Sequence, residues 1–523
     1  MGEIVHLQVG SCGNNIGCKF WEVSMPFSGL LCAVVGLSIW CHPVSLTIDH
    51  LRSSHPTLQS ISKEHGIRDY GVYEGSNDNQ LKQVNAYFNE GSNGWYIPRA
   101  ILTDLKHSTE DSVRAGSIGN LFRSDSFVFG NSADGAGSNY AKGYYTEGPV
   151  ILDRILDAVR YEAEACDNLQ GFQLMHSLGG GTGSGMGSLL ISKIKEEYPD
   201  RIMTTYSVVP SQKVSDTIFE PYNAVLAMNH LINEADQCFV LDNEAMYDMC
   251  FRRLMISTPN YNNLNMLITA AITGATCSIR FPSEIVNGDL QSIASMNMIP
   301  FPRLHFFLMG YAPIDSPRSA YYPRQLTVPD LTREMFNANN ILCAADPRYG
   351  KYFACTMMFR GSMSSNEVDT AVHIVSNQNS EGFVKWDPNK IKASICDIPP
   401  ACSTSSSTLI ANSTCIKNVW DRIMFQFSEM SLRKAYFHRY VSEGMDAMDF
   451  QEAEYNLKDL ISEYRNYEEM NAEEDVPPEA DVPPEEDVSP LGDWVLVPRG
   501  GGFTDTTGFP TKIGRKRLLG VYY

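Results

Sequence analysis

A glycine-dense stretch at residues 178–187, LGGGTGSGMG, constrains what this chain can fold into more than any other feature. Glycine has no Cβ, so such a run can bring several backbone N–H groups close to an anion and adopt positive φ where needed. A strand-like run at 171–175 precedes it, and a helix-like run at 189–194 follows it. Because a strand, a glycine loop and a helix N-terminus form a phosphate-binding arrangement, the sequence predicts a phosphate site here.

The order of residues in this stretch differs from that of two common phosphate-binding motifs. It is not a P-loop, since no Lys-Ser or Lys-Thr closes it, and its glycines lack the GxGxxG spacing of a dinucleotide fold. The alternative interpretation is a flexible surface loop that binds nothing.

Composition limits the partners and the compartment. The 523 residues carry a net charge of −20 at pH 7, which argues against nucleic-acid binding because a phosphate backbone requires a basic face. The 13 cysteines contain no CxxC pair, so we expect free thiols in a reducing cytosol, with neither zinc nor a disulfide framework. The apolar run at 27–41 falls short of the roughly 20 residues that a membrane-spanning helix needs, so no membrane association is expected.

Several further stretches, taken together with GGGTGSG at 179–185, resemble the tubulin family. They include FP at 281–282, PFPRLHFF at 300–307 and CDIPP at 396–400. The similarity covers residues 1–23 and 61 to about 470, and within the family it points to the β-tubulin branch. The resemblance implies an α/β fold of the tubulin/FtsZ type, with a Rossmann-like GTP-binding domain at 1–244, an intermediate α/β domain at 245–415 and a C-terminal helical hairpin at 416–467. An acidic disordered tail and a non-family extension would occupy 468–523.

The resemblance also implies a GTP/GDP site and assigns residues to it. In that assignment Asp216 and Glu220 lie at the ribose, Asn243 and Asn265 read the guanine edge, and Tyr261 stacks on the base. An amide side chain offers both a donor and an acceptor, which suits guanine. For Asp216 and Glu220 the alternative is a capped, solvated helix start. The full set of nucleotide-contacting positions is Ser11, Cys12, Ser138, Asn139, Ser177, Gly179, Gly180, Gly181, Thr182, Gly183, Asp216, Glu220, Asn243, Tyr261 and Asn265.

Four positions near the expected phosphates depart from the family pattern. Ser11 and Asn15 replace glutamines, Ser138 replaces an asparagine, and Lys106 stands where a glutamate helps to place Mg²⁺. Asp104 retains the other half of that acidic pair. A lysine can contact phosphate as a point charge, so Lys106 is either a phosphate contact or a solvated loop lysine.

By the same resemblance, the chain would be a subunit of cytoplasmic microtubules that pairs with α-tubulin. Its weak GTPase would be completed in trans, because the catalytic glutamate of α-tubulin aligns here with Ser292 and no catalytic residue is expected within this chain. The loop at 287–290 would reach the neighbouring subunit, and the loop at 310–325 would make lateral contacts. Motors and associated proteins would bind the C-terminal helices and the acidic tail.

Two segments are foreign to the family. Residues 24–60 interrupt a helix, and we interpret them as a retained intron or gene-model artefact; the alternative is a genuine inserted loop. Residues 468–487 hold ten acidic residues, four prolines and no basic residue, the composition of a disordered tail. Beyond residue 488 the pattern stops, which favours a mistranslated extension.

Two competing functions remain open at this point. The departures at Ser11, Lys106 and Ser138, together with the insert, fit a non-polymerising GTP-binding relative, either a regulator or a pseudogene-like product. If the resemblance is ignored, a nucleotide-dependent metabolic enzyme is the other alternative.

Overall fold

The computed structural model describes most of the chain between residues 2 and 469. The described residues are 2–22, 60–68, 70–75, 78–91, 94–116, 118–211, 213–215, 217–281, 290, 299, 301–314, 326–378, 382–384, 390–400 and 403–469. They all fall within Met1–Ala472, the first of the two units into which the chain divides. Predictions for the insert, Asp216, residues 287–289, Ser292, residues 315–325 and the acidic tail with its extension therefore lie outside the described residues.

One large sheet organises the described part of the chain. Its spatial order is β11-β10-β12-β9-β8-β7-β6-β1-β4-β5, and β2 and β3 form a separate antiparallel pair. The strands are β1 (Glu3–Val9), β2 (Phe88–Glu90), β3 (Tyr96–Pro98), β4 (Ala100–Lys106), β5 (Phe127–Ser132), β6 (Leu169–Ser177), β7 (Ile202–Val209), β8 (Gln237–Asp242), β9 (Phe306–Ala312), β10 (Tyr352–Arg360), β11 (Ile391–Cys396) and β12 (Ser406–Ser413).

Helices cover both faces of this sheet. In chain order they are α1 (Gly10–Trp21), α2 (Ile61–Glu64), α3 (His107–Arg114), α4 (Gly148–Glu164), α5 (Gly187–Glu197), α6 (Glu220–Glu234), α7 (Asn243–Arg252), α8 (Tyr261–Ala275), α9 (Cys277–Arg280), α10 (Val328–Met335), α11 (Ser365–Gln378), α12 (Lys417–Leu432), α13 (His438–Val441) and α14 (Ala447–Glu469). Strands alternating with helices around a mainly parallel sheet confirm the predicted α/β class.

The direction of the strands places the phosphate-binding turns together. From β5 through β4, β1, β6, β7 and β8 to β9, each strand is parallel to its neighbour. Only β12, between β9 and β10, runs antiparallel to both of its neighbours in this sheet. The carboxyl ends of the parallel strands therefore meet at one edge, where ligands bind in open α/β sheets.

Strand β1 shows why both faces must be covered. All seven of its residues are buried, as expected of a strand inside a parallel sheet. Val5, Leu7 and Val9 join a core formed with α4, α5 and α6. Ile4 points to the other face, into a core formed with α1, α7 and α8.

Two stretches fold differently from what their sequence favours. Residues 11–23 read as a glycine-punctuated loop that opens a helix, but α1 starts at Gly10, directly after β1. The sequence at 416–440 favours one long helix; α12 instead ends at Leu432, and α13 begins at His438. Lys434 and Tyr436 between them have φ of 47° and 57°. Because an L-residue in this left-handed region cannot continue a right-handed helix, the chain turns there.

The buried carboxylate of Glu64 links distant parts of the sequence. It accepts hydrogen bonds from Arg280 Nη1 at 2.6 Å and from Arg360 Nη1 at 2.8 Å. All three side chains are at most 1% exposed. Although burial acts to raise the pKa of the Glu64 carboxyl, the two guanidinium groups outweigh it and hold the pKa below its ordinary value.

The sheet runs without a break across the predicted boundary between the first two domains. Strand β8 pairs with β9, with Cys238 opposite Phe306. The predicted division at residues 244 and 415 stays a prediction. Among the described helices, none combines the length and the apolar character that crossing a lipid bilayer requires.

We predict that residues 23–59 can be removed without loss of the fold. Ser62 Oγ donates to the carbonyl of Trp21 at 2.9 Å, so the chain resumes beside the point where α1 ends. Replacing residues 23–59 by about four residues shortens the connection, and the entropic cost of closing a shorter connection is lower by about 2 kcal/mol. Chemical denaturation should therefore show equal or higher stability. The control is Ser62→Ala in the full-length chain, which removes only the hydrogen bond to Trp21. If the shortened protein unfolds and this control does not, residues 23–59 are needed for the fold.

Candidate functional site

The candidate site is built where β1, β5 and β6 end. The turn from β1 into α1 is made by Gly10, whose φ of +74° favours glycine. A Cβ on Gly10 would lie 3.2 Å from the backbone nitrogen of Gly183, which follows β6. This close approach brings Ser11 and Cys12, at the start of α1, to the glycine-rich segment.

The glycine-rich segment contains less loop than its sequence suggests. Strand β6 ends at Ser177, and a π-helical turn, Thr182–Met186, leads directly into α5. The Ser184 hydroxyl donates to the carbonyl of Gly180 and closes this turn. The predicted contacts Gly179–Gly183 therefore lie at a helix N-terminus, where unpaired backbone N–H groups favour an anion.

A second loop packs against this one. A Cβ on Gly181 would approach the backbone nitrogen of Asn139 to 2.6 Å, so only glycine allows the contact. The Asn139 amide donates to the carbonyl of Arg439 at 2.9 Å and is buried. Its neighbour Ser138 is exposed and has φ of 56°. Of these two predicted nucleotide contacts, Ser138 has the accessible side chain, whereas the side chain of Asn139 holds the loop in place through its bond to Arg439.

Asn223, on α6, joins the two loops and was missed as a site residue. Its fully buried amide nitrogen donates to the carbonyls of Ser138 at 2.9 Å and Gly179 at 2.8 Å. Its oxygen accepts from the Tyr140 backbone N–H at 3.0 Å and from the Tyr440 hydroxyl at 2.9 Å. Because all four hydrogen-bonding positions of the amide are used, Asn223 fixes the spacing of both loops.

His176, on β6, supports the glycine-rich segment from below and was also missed. Nδ1 lies 2.8 Å from the carbonyl of Gly183, and Nε2 lies 2.8 Å from Ser207 Oγ. Since a carbonyl only accepts, Nδ1 carries the proton and Nε2 accepts from the serine. Burial lowers the pKa of His176 to about 4, so the neutral ring holds Gly183 in place at neutral pH. No signal in the sequence distinguished His176 from an ordinary core residue.

The predicted metal corner lies at the end of β4. The buried carboxylate of Asp104 accepts through Oδ2 from Ser11 Oγ at 2.8 Å and from Thr109 Oγ1 at 2.7 Å. Its Oδ1 accepts only a long bond, 3.4 Å, from the backbone N–H of Lys106. The Lys106 side chain is exposed and makes no ion pair within the described ranges. A Cβ on Gly135 would lie 3.4 Å from Lys106 Cβ, so the lysine flanks the second phosphate loop.

These groups fit a magnesium ion held mainly by phosphate and water. Oδ1 of Asp104 retains acceptor capacity, and Mg²⁺ commonly uses one or two carboxylates plus phosphate oxygens. Among the residues that the structure describes, no three metal-binding side chains cluster to form a site made of protein alone. Asp104 would be the carboxylate of such a site. The ammonium of Lys106 cannot act as a ligand.

The predicted base and ribose residues lie on α6, α7 and α8. A Cβ on Gly179 would lie 3.2 Å from the Glu220 carboxyl carbon, which places Glu220 beside the glycine-rich segment. Glu220 accepts from Ser215 Oγ at 2.6 Å, and burial raises the pKa of its carboxyl. Asn243 is the first residue of α7 and is half-buried.

The two other base residues lie on α8, which packs against both α1 and α7. Asn265 is buried, whereas Tyr261 at the helix start is 60% exposed. An exposed tyrosine ring can stack on a base. The structure thus brings the loops of the predicted phosphate residues together. Among the described residues, no hydrogen bond joins those residues to the side chains of Asn243, Tyr261 or Asn265.

A separate cavity of about 240 Å³ lies between α7 and residues 338–346. Glu244, Asp248 and Arg252 line one side, and Cys343 and Asp346 line the other. None of the predicted site residues lines it. The candidate site is therefore identified by the convergence of its loops and not by this cavity.

Comparisons with known proteins agree with this geometry. A model of the tubulin/FtsZ family GTPase domain matches residues 3–251, and a model of the tubulin C-terminal domain matches residues 302–424. The tubulin beta-5 and beta-6 chains of Ectocarpus variabilis are each 54% identical to this chain over 475 residues. Each alignment covers 91% of this chain and 97% of the relative. The tubulin/FtsZ fold predicted from the motifs is thereby confirmed.

We predict that Asn223→Ala weakens GTP binding about tenfold or more. The change leaves the carbonyls of Ser138 and Gly179 without this donor, and the buried carbonyl of Gly179 alone costs about 1–3 kcal/mol when unpaired. Tyr440→Phe removes only one bond and should have a smaller effect. Equilibrium GTP binding to the full chain measures both. The control is Asn233→Ala, an exposed position on the same helix; equal effects of Asn223→Ala and Asn233→Ala would contradict the assignment.

Proposed function

This chain belongs to the tubulin family and is β-tubulin-like, and on that premise we propose that it is a microtubule subunit that binds GTP, pairs with α-tubulin and hydrolyses GTP upon assembly. The observation that carries the proposal is the contact of the glycine-rich segment with the β1–α1 turn and with the loop after β5. Three backbone segments converge on one helix N-terminus, an arrangement that suits a polyphosphate.

The proposed roles follow from the position of each residue. Backbone N–H groups from Gly179 to Gly183, with the hydroxyls of Ser177, Thr182 and Ser138, face the phosphates. Ser11 and Cys12 approach from the start of α1; burial raises the pKa of the Cys12 thiol to about 12, so it stays neutral. Glu220 and Asp216 would bind the ribose, and Asn243, Asn265 and Tyr261 would select guanine.

Magnesium, when bound, would neutralise charge on the terminal phosphate groups. Asp104 would hold it through Oδ1 or through a bound water, and the hydroxyls of Ser11 and Thr109 would orient that carboxylate. Lys106 brings a positive charge to the same corner, which permits tight nucleotide binding while it competes electrostatically with the metal.

Hydrolysis in this proposal requires a second subunit. Ser292, which aligns with the glutamate of α-tubulin, has no carboxylate to act as the acid or base of water attack. This chain would therefore supply the nucleotide site, and a neighbouring α-tubulin would supply the acid. The subunit would reside in cytoplasmic microtubules.

The C-terminal helices are the proposed surface for motors and associated proteins. Four residues of α12 and α14 carry large exposed apolar or aromatic side chains, namely Phe425 at 69%, Leu432 at 82%, Met448 at 70% and Tyr455 at 69%. Charged pairs such as Arg465 with Asp421 lie on the same two helices. A mixed apolar and charged outer face of this kind suits protein partners, and the acidic tail would attract basic ones.

A second candidate function is that of a GTP-binding relative that does not polymerise. The state of the metal corner favours it: the Ser11 hydroxyl occupies Asp104 Oδ2, and an exposed lysine stands beside it. In that case the chain would bind guanine nucleotide and regulate other subunits without entering the polymer.

Assembly with α-tubulin distinguishes the two candidates. We expect the full chain to form a heterodimer with α-tubulin, and we expect it to sediment with microtubules in a GTP-dependent manner. A chain that binds GTP and stays in the supernatant would favour the regulator. A chain that binds neither GTP nor α-tubulin would exclude both functions.

We predict that Lys106→Glu combined with Ser11→Gln raises the magnesium dependence of GTP turnover. A second carboxylate beside Asp104 adds an oxygen ligand and removes the competing positive charge. GTP turnover in co-polymers with α-tubulin, measured against magnesium concentration, should rise several-fold in the double variant. The control is Lys142→Glu, a half-buried lysine paired with Glu147 outside the metal corner. Superimposable curves for the original chain and the double variant would show that Lys106 is a solvated surface residue.

A further inference from the structure

The proposed guanine reader Asn243 is flanked by two carboxylates that bind the same arginine. Asp242 ends β8, and Glu244 is the second residue of α7. Arg422, on helix α12 of the C-terminal hairpin, donates through Nη2 to Asp242 at 2.7 Å and through Nη1 to Glu244 at 3.3 Å. One guanidinium thus spans the residues immediately before and after Asn243.

Asp242 couples this ion pair to the orientation of α7. Its Oδ1 accepts from the backbone N–H of Glu244 at 2.9 Å and caps the helix, and its Oδ2 accepts from Arg422. The carboxylate is fully buried. Burial raises the pKa of Asp242, and the Arg422 guanidinium partly offsets that effect. Since an unpaired buried carboxylate is strongly unfavourable, the cap and the ion pair depend on each other.

Glu244 holds the other side of the same turn. It accepts from Ser211 Oγ at 3.0 Å, and it also pairs with Lys213. The Lys213 side chain is 75% exposed, so solvent screens its contribution. The Arg422 side chain is only 28% exposed. Arg422 is therefore the stronger of the two cationic restraints on the first turn of α7.

We propose that Arg422 is a positioning residue for guanine selection, which holds the first turn of α7 so that the amide of Asn243 presents a fixed donor and acceptor to the base. The inference rests on the proposed function, in which Asn243 reads guanine. Arg422 itself does not touch the nucleotide. Its guanidinium donates to two separate carboxylates at once, which the point charge of a lysine cannot reproduce with the same geometry.

The expected consequence is a loss of base selectivity when Arg422 is changed, because its side-chain hydrogen bonds go to Asp242 and Glu244, outside the phosphate loops. GTP and ATP share the triphosphate and differ in the base, so the ratio of their dissociation constants isolates base selection. We expect Arg422→Met to reduce this ratio about tenfold, the size of one lost directed hydrogen bond in a binding site. Arg422→Lys, which keeps the charge, should restore part of it.

The experiment is a double-mutant cycle on the full chain with GTP and ATP as probes. Arg422→Met, Asn243→Ala and the double variant are compared with the original chain by equilibrium binding. If Arg422 acts through Asn243, its effect on the GTP:ATP ratio disappears in the Asn243→Ala background. The matched control is Arg465→Met. This change removes the exposed ion pair between Arg465 of α14 and Asp421, the neighbour of Arg422 on α12, and should leave the GTP:ATP ratio unchanged.

Each outcome has a separate meaning. An equal loss of GTP and ATP affinity in Arg422→Met, or an undiminished effect in the Asn243→Ala background, would overturn the inference. If Asn243→Ala alone leaves the ratio unchanged, then the proposed base-reading function itself fails. If Arg422→Met does not fold, the cycle is run with Glu244→Gln and Arg422→Lys in its place. An unchanged ratio of the GTP and ATP dissociation constants in both variants would likewise overturn the inference.

Discussion

The parallel course of seven neighbouring strands, β5 through β9 in spatial order, is the constraint on which the remaining structure depends. Parallel strands need helical crossovers, so both faces of the sheet are covered and the strands are buried throughout. Their carboxyl ends also share one edge. The turns after β1, β5 and β6 are therefore brought into contact although β1 ends at Val9, β5 at Ser132 and β6 at Ser177. The phosphate site is a product of this topology.

The C-terminal helices also contact the loops of the candidate site. Tyr440 binds the amide of Asn223, and the carbonyl of Arg439 accepts from Asn139, so the segment at 439–440 fixes the phosphate loops. Arg422 reaches the residues around Asn243 in the same manner. The proposed partner surface and the residues that hold the candidate site therefore lie on the same C-terminal helices.

Features set by interactions between residues close in sequence were predicted better than features set by contacts between distant residues. The strand, glycine segment and helix at 169–197 were predictable, because glycine density and periodicity are local signals. The extent of the loop was not, since the π-helical turn that begins at Thr182 and the bond from Ser184 to the carbonyl of Gly180 have no clear signal in the sequence. Asn223 and His176 escaped notice because their roles depend on partners such as Ser138 and Ser207, which are distant in sequence. The proposed base-reading residues came from family resemblance, whereas the bonds of Arg422 to the residues on either side of Asn243 were visible only in the packed structure.

The ion cluster of Glu64 with Arg280 and Arg360 has a consequence for synthesis on the ribosome. Residue 64 emerges long before either arginine, and a lone carboxylate resists transfer from water into an apolar interior. The nascent chain cannot complete this cluster until residue 360 has been translated. The region that matches the GTPase family model, residues 3–251, contains Glu64 but neither of its partners. That region therefore lacks the two guanidinium groups that compensate the buried charge of Glu64, and the N-terminal core gains this compensation only from the distant half of the chain.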